Sequence, residues 1–209
     1  DWSSDVCSSD LGQLIAGPFA GKFFADFGAE VIKIEPPEGD PLRGWRKVHD
    51  GTSLWWHVQN RHKKSVVLNL RTEPGRAAAR RLIAGADVLI ENFRAGALEK
   101  WGLGYDVLSA DNPGLVMLRL SGFGQDGPSR DQTGFGSVGE SMGGMRYVTG
   151  FPDRPPVRPN LSLGDALAAL HGVIGTMMAL HHRNAHGGRK AGLGQVVDVA
   201  LYEAVFNMM

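Results

Sequence analysis

One carboxylate in this sequence stands apart from the rest. The stretch "NLSLGDALAALHG", Asn160 to Gly172, places Asp165 at the mouth of a long apolar run that continues through "VIGTMMALHH" without a further acid. Two chemistries suit that placement. Ser162 followed three residues later by Asp165 is an S-x-x-D capping box that closes the start of a helix. The same position also holds a carboxylate at the positive end of a helix dipole, where an anionic nucleophile is favoured. Other candidates are weaker. Glu35 ends a β-rich segment where a dinucleotide fold keeps its ribose-binding acid, but "AGPFAG" is G-x-x-x-G rather than G-x-G-x-x-G, and Pro18 lacks an N–H for a phosphate cradle. His181, His182 and His186 lie at a helix end and suit the dipole there; no H-E-x-x-H or C-x-x-C accompanies them, so no metal site is expected. Ser121 in "LSGFG" lacks the first glycine of a nucleophile elbow. The basic run Arg61 to Ser65, with Arg43, Arg46 and Lys47, reads either as a phosphate grip or as a solvated turn.

The elements that must carry these residues alternate. "LIAGPFAGKFFADFGAEVIKIEPPEGD" reads as strand end, glycine turn, helix and strand, with Pro18 at the first helical position and Gly28 as the stop. "SVVLNL", "DVLIENF" and "LVMLRLSGFG" are further strands, and "TEPGRAAARRLIAGA" is a helix with Thr72 as N-cap. "AGALEKWG" and "YDVLSADNP" start shorter helices. Such alternation predicts an α/β fold with a parallel sheet and helices on both faces. Ligands of such folds sit at the carboxyl ends of strands, which here are "AGP", "EPPEGD", "ENFRAG" and "SGFGQDGP". After Pro128 the chain is rich in Gly, Pro and Arg and reads as an irregular segment, either at the active site or on the surface.

Bulk properties narrow the class. Lysine plus arginine and aspartate plus glutamate are both 22, so the basic excess of a nucleic-acid binder is absent. A lone cysteine, Cys7, excludes an internal disulfide framework and fits a reducing, cytoplasmic setting. The apolar run Ala166 to Leu180 falls short of a membrane span and reads as a buried core helix, with no signal peptide and no membrane partner expected. Residues 1–11, "DWSSDVCSSDL", show neither strand nor helix periodicity and read as a non-native segment resembling translated sequencing adapter, fused where a first strand should begin. The chain looks cut at both ends.

Taken together, "LIAGPFAGKFFADFGAEVIKIEPPEGDPLRGW", "NRHKKSVVLNL", "ADVLIENFRAGALEKWGL", "LSGFGQDGP" and "SLGDALAALHGVIGTMMALHHR" resemble the family III CoA-transferases, which include the α-methylacyl-CoA racemases. The resemblance runs from Gly12 to Met209. It implies that residues 12–209 are the N-terminal part of a Rossmann-like large domain, truncated from a longer enzyme that works as an interlocked homodimer. No permanently bound cofactor is implied; coenzyme A enters as acyl-CoA substrate beside a small carboxylic acid.

The family's nucleophile falls on Asp165, whose carboxylate would form an acyl-aspartyl anhydride and then an aspartyl-CoA thioester. Its dipole-facing position would keep it ionised. The CoA contacts fall on Ala16, Leu68, Asn92, Phe93 and Lys100. Ile15, Pro36 and Ser121 replace a glutamine, an arginine and a lysine of the formyl-CoA type, which argues against formyl or oxalate substrates. Phe135 stands where the racemases carry a histidine, and phenylalanine cannot move a proton, so the racemase reading is the alternative. A nucleotide-binding module without chemistry is the other. Glu140 is either a substrate-orienting group or a helix-surface glutamate. Arg146, Arg154 and Arg158 offer cations for a second carboxylate, as in the subgroup that moves CoA between diacids such as succinate.

Overall fold

The computed structural model describes residues 6–209. In chain order its elements are β1 (Cys7–Asp10), α1 (Ala16–Asp26), β2 (Glu30–Glu35), the short strands β3 (Val48–His49) and β4 (Thr52–Ser53), α2 (Leu54–Gln59), β5 (Lys63–Val67), α3 (Glu73–Ala84), β6 (Val88–Glu91), α4 (Ala97–Lys100), α5 (Tyr105–Asp111), β7 (Val116–Ser121), α6 (Gly136–Met142), α7 (Met145–Val148), α8 (Leu163–Ala185), β8 (Gln195–Ala200) and α9 (Leu201–Phe206). Six strands form one sheet in the order β5-β2-β1-β6-β7-β8, every pair parallel. Strands three, two and one of the sheet lie to one side and four, five and six to the other, the order of a Rossmann sheet with its reversal between β1 and β6.

Alternating side chains split the core into two layers, as pleated strands buried on both faces require. Val88, Ile90, Val116 and Leu118 pack against α1, α8 and α9; Leu89, Leu115 and Met117 pack against α3, α4 and α5. Thr72 caps α3, its Oγ1 accepting from Gly75 N at 3.3 Å. Helix α1 starts at Ala16, so Pro18 sits third rather than first, and Gly28 stops the chain at φ 99. The "SVVLNL" strand shifts upstream to Lys63–Val67, leaving Leu68 in the loop that follows. The edge strand β8, the 48–53 hairpin and α2, α6, α7 and α9 had no counterpart among the expected elements.

Two expectations change. Cys7–Asp10 is not outside the fold: it is a strand beside the reversal, in register with Glu30–Lys33 on one side and, from Ser8, with Val88–Ile90 on the other. Any chain at this place pairs with both neighbours through backbone groups that do not depend on side-chain type. The Ser8 and Ser9 hydroxyls are buried there without a hydrogen-bond partner. The strand bears on the missing periodicity and not on the adapter-like origin of residues 1–11, of which residues 1–5 lie outside the described residues. Second, α8 at 23 residues is long and apolar enough to cross a membrane by length and composition. It covers the sheet instead, burying Ala168, Ala169, Ala179 and Leu180 in the core.

The turn from β1 into α1 is tight. A Cβ built on Gly17 would lie 2.6 Å from Gly12 Cα and 3.4 Å from the Asn92 side chain, so only glycine lets these backbones meet. Gly17→Ala is expected to destabilise the fold by about 2–3 kcal/mol through this overlap. Urea unfolding of the full-length protein measures it.

Candidate active site

The loop from β1 to α1 is fastened from below by charged side chains that leave water together. Lys33 Nζ donates to Gly12 O and pairs with Asp40 Oδ2 at 3.0 Å. Asp40 Oδ1 in turn accepts from Leu14 N at 3.1 Å and Leu42 N at 2.8 Å, holding Leu14 at φ 60. Lys63 Nζ reaches Asp10 Oδ2 at 2.8 Å and Pro18 O at 2.7 Å. Lys33 and Lys63 hold Asp10 ionised below the usual carboxylate range, overcoming the burial that opposes it.

These bonds settle the basic cluster. Lys63 is buried under α1, Arg61 pairs with Asp26 at 2.8 Å, and Arg43 binds both oxygens of Glu35. Glu35 also accepts from Asp40 N and Ser65 Oγ, so the acid at the ribose position is fully engaged by its own chain. Arg46 stacks over Trp55, 4.3 Å from the ring centroid. None of these cations lines the cleft that holds Asp165.

At the reversal the loops after β1 and β6 are stitched together. Gln13 N donates to Asn92 Oδ1 at 2.7 Å, and Asn92 Nδ2 donates to Gln13 O at 2.8 Å. Each end of the Asn92 amide thereby makes one bond to Gln13, and the pair joins the two loops. Next to it, Phe93 N donates to Glu91 Oε2 at 2.7 Å, and the Phe93 ring meets Trp101 edge-on at 5.3 Å. Glu91 is pushed up to about 7 by burial, although Arg119 bonds it at 2.6 Å.

Between these loops and the start of α8 lies a cleft of about 180 Å³. Asp165, Ala16, Asn92 and Phe93 all line it, together with Ile15, Ser121 and Phe135. A second cleft of about 290 Å³ shares Gln13 and Phe93 with the first and is lined by Pro36, Leu68, Arg71 and Trp101. Lys100 lines neither. It sits with Arg94, Trp101 and Asp131 on a third, shallower depression of about 390 Å³. Five of the six expected site residues thus line two neighbouring clefts, and Lys100 lines a third depression that shares Arg94 and Ala95 with the first and Trp101 with the second. Arg71 was missed, although its place one step beyond "LNL" was legible as a strand-end loop.

Asp165 occupies the third position of α8. The capping box does not form: Ser162 makes no side-chain cap bond, and its carbonyl accepts from Ala166 N at 2.9 Å. The Asp165 carboxylate packs against Gly136 of α6, where any Cβ would collide with it. Nor does the helix start keep the carboxylate in its usual range. Burial pushes Asp165 up to about 6, Glu140 adds to the rise, and Arg158 and the local backbone N–H oppose it. Desolvation outweighs the dipole here, because the dipole contributes a partial charge while burial removes much of the water around a full one.

The flanking charges also differ from expectation. Glu140 is not a surface glutamate; it is 0 % exposed and accepts from Arg146 Nη2 at 2.6 Å. Arg146 is therefore committed to Glu140. Arg154 lies in the solvent within 4.0 Å of Asp153, and only Arg158 of the three arginines acts on Asp165. Phe135 stands in the cleft at the racemase-histidine position, and no histidine lines that cleft among the described residues.

Comparison with known proteins shows the family. The model of CoA-transferase family III matches residues 5–209. The chain is 54% identical over 98% of its length to the succinyl-CoA–D-citramalate CoA-transferase of Chloroflexus aurantiacus, covering 50% of that protein. It is 46% identical over 96% of its length to the succinyl-CoA–L-malate CoA-transferase alpha subunit of Chloroflexus aurantiacus, covering 46% of it. A crystal structure of a CAIB/BAIF family protein from Brucella suis superposes with a TM-score of 0.91 at 38% identity, covering 98% of this chain and 54% of that one. The chain spans about half the length of these relatives.

A carboxylate raised to about 6 opposes folding once ionised: the native state binds its proton more tightly than the unfolded chain, so stability falls as pH rises through 6. Asp165→Asn is expected to be more stable than the parent by about 2–3 kcal/mol at pH 7.5; the gap should narrow as pH falls below 6 and close near pH 4, where the unfolded chain also takes up its proton. Thermal melts across this pH range measure it.

Proposed function

The chain belongs to CoA-transferase family III, and from that premise we propose that the full-length enzyme moves CoA from an acyl-CoA to a carboxylic acid with Asp165 as nucleophile. The observation that carries this reading is a lone carboxylate at the first turn of α8, facing a cleft built from the carboxyl ends of the central strands. An Asp165 oxygen attacks the thioester carbonyl; the C–S bond breaks and leaves an acyl-aspartyl anhydride and CoA thiolate. The thiolate attacks the aspartyl carbonyl, and the donor acid departs as its carboxylate. The acceptor carboxylate then attacks the aspartyl-CoA thioester, expelling the thiolate, which returns to the new acyl group and frees Asp165. Each step exchanges one anion for another, so no proton need move.

The two neighbouring clefts fit an extended thioester ligand. Leu68, Pro36 and Trp101 offer apolar walls, Arg71 a cation for phosphate, and Phe93 and Ala16 a narrow route towards Asp165. Asn92 serves this route by holding its two loops together. Lys100, on the adjoining depression with Arg94, offers a further cation for phosphate.

For the substrate, we read the donor as a dicarboxylic acyl-CoA such as succinyl-CoA and the acceptor as a short diacid. Support comes from Arg158, a cation near enough to act on Asp165, and from relatives named for succinyl-CoA, D-citramalate and L-malate. An interlocked homodimer of the full-length protein is part of the same proposal.

Asp165→Ala is expected to lower CoA transfer by more than about a thousand-fold while CoA still binds. Hydroxylamine should trap an acyl adduct on the parent and none on the variant; full activity in the variant would refute the mechanism. Arg158→Gln should raise KM for diacid acceptors by about tenfold. At pH 8, where Asp165 is ionised with or without Arg158, KM for monocarboxylate acceptors assayed in parallel should be unchanged.

A further inference from the structure

A buried acid stands beside the nucleophile without reaching the substrate cleft. Glu140, on α6, is wholly buried and takes two bonds from Arg146, at 2.6 and 3.1 Å to the same oxygen. Its other oxygen lies 3.5 Å from the backbone N of Gly164, the residue immediately before Asp165. One turn earlier on α6, Gly136 packs its backbone against both Gly164 and the Asp165 carboxylate. Helix α6 therefore grips the start of α8 at two points, one steric and one charged. A polar group is not required for the grip, since an apolar side chain could pack there without burying a carboxylate and a guanidinium together.

We propose that Glu140, locked in place by Arg146, is a positioning residue for Asp165: it holds the first turn of α8 through Gly164 N–H and presents a fixed negative charge that sets the pH range in which the Asp165 carboxylate attacks. This rests on the reading of Asp165 as the nucleophile. Asp165 is acted on by Glu140 from α6 and by Arg158 from the segment preceding α8, while Arg94 and Arg130 line the same cleft. Glu140 does not line it and touches no reacting atom.

The charge has a direction that a purely structural role lacks. Like charge disfavours the ionised form of a neighbour. Glu140→Gln keeps an acceptor for Gly164 N and removes the charge, so the acid limb of the kcat/KM profile should move down by about one pH unit. Arg146→Lys keeps a cation on Glu140 and should leave the limb in place. The experiment is the pH profile of CoA transfer by full-length parent and variants, with folding checked by thermal melts. Should Glu140→Gln lose its fold, Glu140→Gln combined with Arg146→Met, which removes both charges of the buried pair together, reads the same shift. A Glu140→Gln limb that stays at the parental pH, or an Arg146→Lys limb that moves with it, would overturn the proposal even if Asp165→Ala is inactive. An active Asp165→Ala would instead remove the nucleophile reading beneath it.

Discussion

The Asn92 side chain holds the two loops at the reversal of the sheet, and the site depends on that junction. Parallel strands send all their carboxyl ends to one edge, but neighbouring loops normally cover the gap between them. Between β1 and β6 they diverge, because the chain winds outwards in opposite directions from these two strands. The opening would be loose without a tie. Two bonds from one amide to the backbone of Gln13 supply it, and the Gly12–Gly17 approach brings α1 down onto the same point. Asn92 also lines the cleft, with one N–H and one lone pair beyond those bonded to Gln13.

Below this junction the chain buries charge where hydrophobic side chains would be easier to accommodate. Lys33 with Asp40 and Lys63 with Asp10 fasten loop backbone rather than side chains, reaching Gly12 O, Leu14 N and Pro18 O. Buried ion pairs add little net stability on their own. Their contribution here is directional: a long ammonium side chain can satisfy a carbonyl in an irregular turn that no strand partner can reach.

Asp165 illustrates two opposing physical effects on one group. The start of α8 favours an anion, while burial against Gly136 removes water from it and the Glu140 charge repels it. The outcome is a carboxylate ionised at neutral pH but only narrowly so. Such a group is a better nucleophile than a fully solvated one, since less hydration must be removed when it attacks. The same feature makes it a burden on folding, a common relation between function and stability.

Much of this was legible in the sequence. Strand and helix alternation specified the parallel sheet with helices on both faces, because burial on both faces demands continuous apolar strands and one-sided helices. The motif blocks, ordered from "AGPFAG" to "SLGD", located Asp165 and the loops around it. Side-chain type alone hid the strand at Cys7–Asp10, since β pairing uses backbone groups and accepts serine at the expense of stranded hydroxyls. Local pattern likewise suggested a capping box at Ser162 that does not form. Only the tertiary structure decided that Asn92 is a tie, that Glu140 and Arg146 are a buried pair, and that Asp165 lies high rather than low in its titration. Those properties depend on what lies within a few ångströms, and the groups that meet there stand from 6 to 79 positions apart in the chain. Sequence named the residue types available for the chemistry; folding determined how much water each one keeps.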